Sequence, residues 1–418
     1  MGGVIFPKEI LSPFTLIPLS ERKTVMTLVQ EKVKQAIQIL EEEDIDLWLT
    51  FVRETTAGGD PVLPLIYGLD LTWQSALMLT RTGHSIAIVG HFEAEAARRT
   101  GAYSSVIPYH QAIRPELIRV LEEINPMKIA LNYSSNDVHA DGLSVGLHQV
   151  LLKLLMETPY PERLVSAERV IGALRSRKTP TEVEYIRSAV KTTAQIFEKT
   201  FNFVQPGMTE KRVSDFMHQQ MQKFGVSEAW EYHNCPTVNA GPDSSVGHIG
   251  PTNLKIETGQ ILHIDFGVKQ NEFCSDIQRV VYFLAPGEKS PPAVVQQGFD
   301  TVVSVIQKTV AAMRPGLMGV EVDQIAREAI INAGYPEYMY ATGHHLGRTA
   351  HDGAGVLGPL WERYGNTPCY LLEPGHVYTV EPGIFLPGYG YIGIEEDVLV
   401  TETGGVFLSI PQVEMIIK

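Results

Sequence analysis

Apolar residues at Val25, Leu28, Val29, Val33, Ile37 and Leu40 recur at the spacing of one helical face, which predicts a helix over about residues 23–43. A strand is predicted over 46–52, followed by two short strands at 76–79 and 85–89 around a turn at Thr82–Gly83. Residues 115–124 carry helical spacing again, 128–133 read as a strand and 143–156 as a helix. Helical and strand patterns alternate, so the first part is expected to be an α/β domain. The stretch 159–180 is polar and flanked by prolines, and Thr179-Pro180-Thr181-Glu182 has the form of a helix start with Pro in its first turn. Domains are therefore expected at 1–170 and 171–418. In the second, long helical patterns at 182–203, 209–224, 293–313 and 320–333 are separated by strand-like segments ending in Gly and Pro. That arrangement predicts an α+β domain, with helices packed on a mostly antiparallel sheet.

At 418 residues the chain exceeds what one hydrophobic core usually serves, in keeping with two domains. Its 20% charged residues, and the lack of any apolar run near the roughly 20 residues of a membrane helix, give the expectation of a soluble protein. Residues 1–11 show neither a basic start nor an apolar stretch leading to a cleavage site, and Phe6 breaks the myristoylation pattern, so no export or anchoring signal is expected. Cys235, Cys274 and Cys369 are too few and too scattered for a disulfide framework, which makes a reducing cytoplasm the simplest compartment. A formal net charge of −14 disfavours nucleic acid and anionic membranes as partners.

Chemistry concentrates in the second half. Residues 260–283 read as a hairpin, and a two-residue loop at Gln270–Asn271 would put Asp265 directly opposite Asp276. Two like charges so placed destabilise a sheet unless something positive lies between them. In residues 374–401 the geometry recurs. Glu381 and Glu395 are equidistant from Gly388, inside Leu386-Pro387-Gly388-Tyr389-Gly390. Gly259 and Gly267 stand about Asp265 as Gly375 and Gly383 stand about Glu381, the signature of a duplicated half-domain. Two facing acidic pairs predict a cation site, and each pair depends on register. One imidazole added to four carboxylates would suit Mn2+, Co2+ or Zn2+ better than Ca2+. The candidate lies in Thr342-Gly343-His344-His345-Leu346-Gly347, where spacing does not decide between His344 and His345. His248 and His351 are further loop histidines.

These residues resemble the pita-bread metallopeptidases, a family that includes aminopeptidase P, prolidase and methionine aminopeptidase. Ile264-Asp265-Phe266-Gly267 and Cys274-Ser275-Asp276 are similar to its aspartate motifs, Gly343-His344 to its histidine motif, and Thr379-Val380-Glu381-Pro382-Gly383 with Ile394-Glu395 to its glutamate motifs. The resemblance covers about residues 170–418. The separate N-terminal domain is similar to that of the proline-specific and creatinase-like branch. It implies a pita-bread catalytic domain and two divalent ions, Mn2+ foremost with Co2+ or Zn2+ as alternatives. Asp265 would hold one ion, His344 rather than His345 would hold the other together with Glu381, and Asp276 and Glu395 would be shared by both. It further implies a hydroxide between the ions as nucleophile, Glu381 as proton shuttle, and His248 and His351 as substrate-side histidines. A homodimer acting on peptides, hydrolysing Xaa–Pro bonds as a dipeptidase or an aminopeptidase, completes the expectation.

The sequence departs from the family pattern at His345, where a glycine usually follows the ligand histidine, and at Arg348, where an apolar residue is common. Asp352-Gly353 replaces a Glu-rich segment, and Gly393 stands in the place of an arginine. Arg348 and His345 are accordingly candidates for substrate binding, Arg348 through a substrate carboxylate. The competing readings are a metal-free amidinohydrolase of the creatinase type, a non-catalytic peptide-binding or protein-binding module, and a hydrolase of another amide or ester.

Overall fold

The computed structural model describes residues 26–247 and 249–418. Val25, residues 1–11 and His248 therefore lie outside the described residues.

Helix α1 (Leu28–Glu42) opens on a capping box, in which the Thr27 side chain accepts from the Gln30 amide and Gln30 reaches back to the Thr27 N–H. Strands β1 (Leu47–Val52), β2 (Ser75–Thr80), β3 (Ser85–Gly90), β4 (Ser105–Tyr109), β5 (Ile129–Leu131) and β6 (Leu164–Ser166) form one mixed sheet in the order β4-β3-β2-β1-β5-β6. Every residue of β1 is buried, as a central strand covered on both faces requires. Helices α1, α2 (Leu63–Ile66) and α3 (Ala94–Thr100) supply one cover, and α4 (Arg114–Ile124) and α5 (Val145–Leu154) the other. Residue 170 falls inside α6 (Glu168–Ser176), whose Val170, Ile171 and Leu174 share a core cluster with Trp48 and Leu77. The chain thus leaves the first layer after α6 rather than at residue 170, because these three apolar side chains pack on the first sheet.

Helix α7 (Pro180–Phe203) begins at Thr179, with Pro180 at its start and Glu182 closing a capping box. Glu182 also accepts from Lys32 Nζ at 3.0 Å, which ties α7 to α1 through a buried ion pair. Helix α8 (Glu210–Phe224) follows, then strands β7 (Ser227–Glu228), β8 (Thr237–Ala240), β9 (Gln260–Phe266), β10 (Val268–Gln270), β11 (Phe273–Cys274) and β12 (Ile277–Phe283). After helices α9 (Ala293–Ala312) and α10 (Gly319–Asn332) come β13 (Gly343–His344), β14 (Val356–Leu357), β15 (Val377–Val380), β16 (Gly383–Leu386), β17 (Gly390–Gly393), β18 (Glu396–Thr401), β19 (Gly404–Phe407) and β20 (Ile416–Ile417). Strand β9 pairs antiparallel with β12 and β8, and β15 pairs antiparallel with β18. Each long hairpin carries its own helix pair. Leu262, Ile264, Val281 and Phe283 pack with α7 and α8, while Val380, Val398 and Val400 pack with α9 and α10. Among the described residues no helix is long and apolar enough to cross a membrane.

Register decides what the hairpins present. In the second, Val380 pairs with Glu396 and Gly383 with Gly393, so Glu381 and Glu395 face each other as the symmetry about Gly388 predicts. In the first, Asp265 lies opposite Gln278 rather than opposite Asp276. The turn is Asn271–Glu272, with φ of 51° and 66°, one residue beyond Gln270–Asn271. Two consecutive left-handed residues make the type I′ geometry that matches strand twist. The resulting slip is two residues, an even number, so Asp276 stays on the face of Asp265.

Glu272 occupies a left-handed position without being Gly, Asn or Asp. Its ion pair to Lys269 is long, at 3.7 Å, and exposed. Glu272→Gly is expected to stabilise the protein by about 0.5–1 kcal/mol, read from the urea midpoint. An unchanged or lower midpoint would show that the left-handed turn carries no strain.

Candidate metal centre

Strand alternation puts His263 and Asp265 on the same face of β9 as Asp276 and Gln278 of the adjoining chain. In the second hairpin Thr379, Glu381, Glu395 and Asp397 share a face in the same way. The two faces meet. Ligand-capable atoms of Asp276, His344 and Glu395 all lie within 4.8 Å of one another. His344 Nε2 is 3.4 Å from Glu381 Oε1 and 3.8 Å from Asp276 Oδ2, and Asp265 contacts Asp276. All five residues singled out as ligands are brought to one place.

His344 is held from behind. Asp323, gripped by Arg327 at 2.8 Å, accepts from the Thr342 hydroxyl at 2.7 Å, so α10 fixes the start of the segment. The His344 N–H donates to Thr379 Oγ1 at 3.2 Å, and its Nδ1 lies 3.1 Å from the His345 carbonyl. An Nδ1–H donated to that carbonyl leaves a lone pair on Nε2, aimed at the carboxylates. Burial, with His351 adding to it, pushes the imidazole down to about 3, so the ring is neutral.

The carboxyl groups shift the opposite way. Burial pushes Asp265 up to about 7, and burial followed by the charge of Asp265 pushes Glu381 up to about 8. Asp276 is raised well above the ordinary range by burial and then by Glu395, and Glu395 by burial and then by Glu381. Arg279 does not relieve them, because its donors go to Glu396 and to the carbonyls of Gln278, Glu395 and Ile410. Asp265 Oδ1 and Glu395 Oε1 are buried with no hydrogen-bond partner. Orphaned acceptors facing a neutral nitrogen lone pair are costly without a cation. Four carboxylates and one imidazole are the donors a hard or borderline divalent ion takes, so the residues fit the metal.

The remaining candidates divide. The exposed His351 meets the His344 ring edge-on at 4.2 Å, placing it at the rim of the cluster. His248 lies outside the described residues. His345 and Arg348 are not brought to the cluster. His345 follows His344 along an extended chain and so points the other way. It is 2% exposed, with its ring 4.0 Å from that of Tyr378. The Arg348 guanidinium stacks on Phe273 at 5.1 Å, and the Arg348 backbone N–H donates to Asp352 Oδ2. Asp352 in turn pairs with Arg175 of α6 at 2.6 Å. Although burial opposes it, Arg175 and Lys178 hold the Asp352 carboxyl down at about 2. These departures from the motif thus build a junction between α6 and the 344–353 segment.

Sequence reasoning missed the supporting side chains. The Asp276 N–H donates to Asp397 Oδ2 at 3.2 Å, and Gln278 Nε2 donates to Glu381 Oε2 at 3.2 Å. Thr379 Oγ1 donates to Glu381 Oε1 at 3.4 Å. The available signal was a polar residue two positions from each ligand within an apolar strand, as in Asp276-Ile277-Gln278 and Thr379-Val380-Glu381.

The model of Metallopeptidase family M24 matches residues 184–402, more than half of the chain. An uncharacterized peptidase of Staphylococcus haemolyticus is 29% identical over 331 residues, covering 79% of this chain and 86% of the relative. The uncharacterized peptidase YqhT of Bacillus subtilis is 30% identical over 256 residues, covering 61% of this chain and 68% of the relative. Among solved structures, an Xaa-Pro dipeptidase from Bacillus anthracis is similar with a TM-score of 0.71 at 24% identity, covering 93% of this chain and 100% of that one. An X-Pro aminopeptidase from Thermotoga maritima gives 0.68 at 23%, covering 92% and 99%.

A carboxyl group raised in the folded state binds its proton more tightly there than when unfolded. Its stabilisation is complete below the unfolded pKa and is lost as pH rises through the folded one. Thermal stability of chelator-treated protein is therefore expected to fall from about pH 4, the ordinary carboxyl range, through about 7 and 8, where Asp265 and Glu381 titrate. Saturating Mn2+ is expected to raise Tm more at pH 8 than at pH 5, since ligation needs deprotonated carboxylates. A chelated Tm that climbs across this window would contradict the electrostatic reading.

Proposed function

We propose that this chain, which belongs to metallopeptidase family M24 and has its pita-bread fold, hydrolyses the Xaa–Pro bond of peptides. The observation that carries the reading is the meeting of Asp265, Asp276, His344, Glu381 and Glu395, buried or half-buried, with two buried carboxylate oxygens left unpartnered. These five side chains would hold two divalent ions, Mn2+ foremost. When bound, the ions supply polarisation of the scissile carbonyl and a water acidic enough to attack near neutral pH.

The protein's own groups do the rest. Glu381, held by Thr379 and Gln278, accepts the proton of the attacking water and passes it to the leaving nitrogen. In an Xaa–Pro bond that nitrogen is tertiary and must be protonated before the bond opens, so the shuttle acts twice. His351, at the rim against His344, donates to the oxygen on which charge develops, a contact typically worth about 2.7–4 kcal/mol. The named activities of the Bacillus anthracis and Thermotoga maritima structures support proline as the residue after the scissile bond, at the level of fold.

Metal-stripped protein given back Mn2+, Co2+ or Zn2+ is expected to cleave Xaa–Pro dipeptides or longer Xaa–Pro peptides, and Glu381→Ala to lose at least about 100-fold in kcat. Cleavage of dipeptides alone makes it a dipeptidase, and cleavage of longer peptides an aminopeptidase. Metal-loaded protein that cleaves neither would sink the Xaa–Pro assignment.

A further inference from the structure

Gly393 stands where the family motif has an arginine, and the space beside it is filled by Tyr391 of its own strand and by two side chains of the other hairpin. A Cβ there would lie 2.5 Å from Gln278 Oε1 and 2.6 Å from His263 Nε2. Gln278 and His263 are buried polar residues on adjacent strands, joined by a 2.9 Å contact between that ring nitrogen and that amide oxygen. The other ring nitrogen of His263 lies 2.9 Å from Asn239 Oδ1, so the ring faces two oxygens and, as a neutral imidazole, donates its single N–H to one of them. Asn239 is pinned in turn, its Nδ2 donating to the Ser245 carbonyl at 2.8 Å and to Ser244 Oγ at 3.2 Å. Ser244 Oγ donates to Glu210 Oε1 at 2.6 Å. Glu210, at the first turn of α8, also receives the Ala240 and Thr252 N–H groups, which fastens the segment between β8 and β9 at these two points. A continuous polar chain thus runs from that segment through Asn239, His263 and Gln278 to Glu381, where Gln278 Nε2 donates at 3.2 Å. The Gln278 backbone meets Glu395 as well, its carbonyl accepting from the Glu395 N–H at 3.3 Å.

We propose that Gln278 is a positioning residue for the glutamates that hold the metal, and that Asn239 and His263 act through it, coupling the aim of Glu381 to the seating of the 241–252 loop. The ring of His263 sits behind the Gln278 amide and stops it from swinging away from Glu381. Gly393 is what leaves room for this wedge, so one hairpin's neutral amide takes the space that a charged side chain would fill from the other. The proposal rests on the metallopeptidase reading. It adds to that reading a device that orients two ligands, and it links that orientation to the segment between β8 and β9. Partners of metal ligands typically change metal affinity or activity 10–100-fold when removed.

The test is calorimetric titration with Mn2+ of metal-stripped wild type, Gln278→Met, Asn239→Ala and the double variant, with Tm and the kcat and KM for an Xaa–Pro substrate measured alongside. Gln278→Met keeps the length of the side chain and removes the amide. It is expected to bind Mn2+ at least about tenfold more weakly and to lose kcat more than KM. Asn239→Ala, whose bonds go to His263 and the Ser244–Ser245 loop, is expected to move both readouts the same way, and the double variant to be no weaker than Gln278→Met alone. Mn2+ affinity within twofold of wild type in Gln278→Met overturns the positioning role, and fully multiplicative effects in the double variant overturn the relay. Should Gln278→Met fail to fold, Asn239→Ala decides alone: about tenfold weaker binding supports the relay, and wild-type binding overturns it. Wild-type protein that binds no Mn2+ would overturn both this proposal and the metallopeptidase reading, whereas metal binding without Xaa–Pro cleavage would overturn only the substrate.

Discussion

Repulsion among four carboxylates, Asp276 and Glu395 buried and Asp265 and Glu381 half-buried, is the constraint around which the second half of this protein is arranged. Asp265, Asp276, Glu381 and Glu395 come from two hairpins far apart in sequence, and His344 points a neutral nitrogen at them. Nothing in apolar packing favours that meeting. A protein that buries such a set without a cation must protonate it, which is the direction in which all four groups are pushed. A divalent ion bound there would replace those protons and make the least favourable part of the fold a ligand set.

The architecture answers this constraint twice over. Each hairpin contributes one carboxylate pair and rests on its own pair of helices, and each has an acidic helix residue clamping the strand or loop beside the site. Asp323 in α10 holds Thr342 ahead of His344, and Glu210 in α8 holds the loop after β8. Three of the five sit where strand pairing is interrupted: Glu381 lies between β15 and β16, Glu395 between β17 and β18, and Asp276 between β11 and β12. There a side chain can leave the pleat while its neighbours keep it anchored. Residues two positions away, on the same face, supply the anchoring.

Much of this was legible in the sequence because strand geometry has a period of two. Symmetry about Gly388 gave the pairing of Glu381 with Glu395 directly. The first hairpin was misread by two residues, because Asn271 and Glu272 adopt left-handed conformations that Glu rarely takes. The acidic pair survived the error, since an even slip preserves the face. The surroundings of His345 and Arg348 were not legible for a different reason: their partners, Tyr378, Phe273 and, through Asp352, Arg175, are distant in sequence, and no local pattern announces them. Gln278, His263 and Asn239 were missed because each looks like an isolated polar residue in an apolar strand until the strands are paired.

The most direct test of the account is anomalous diffraction from crystals of the full chain grown with Mn2+. The account predicts two Mn2+ peaks per chain, both enclosed by Asp265, Asp276, His344, Glu381 and Glu395. An occupied crystal with no peak among these five side chains, or with Mn2+ bound only elsewhere, would contradict it.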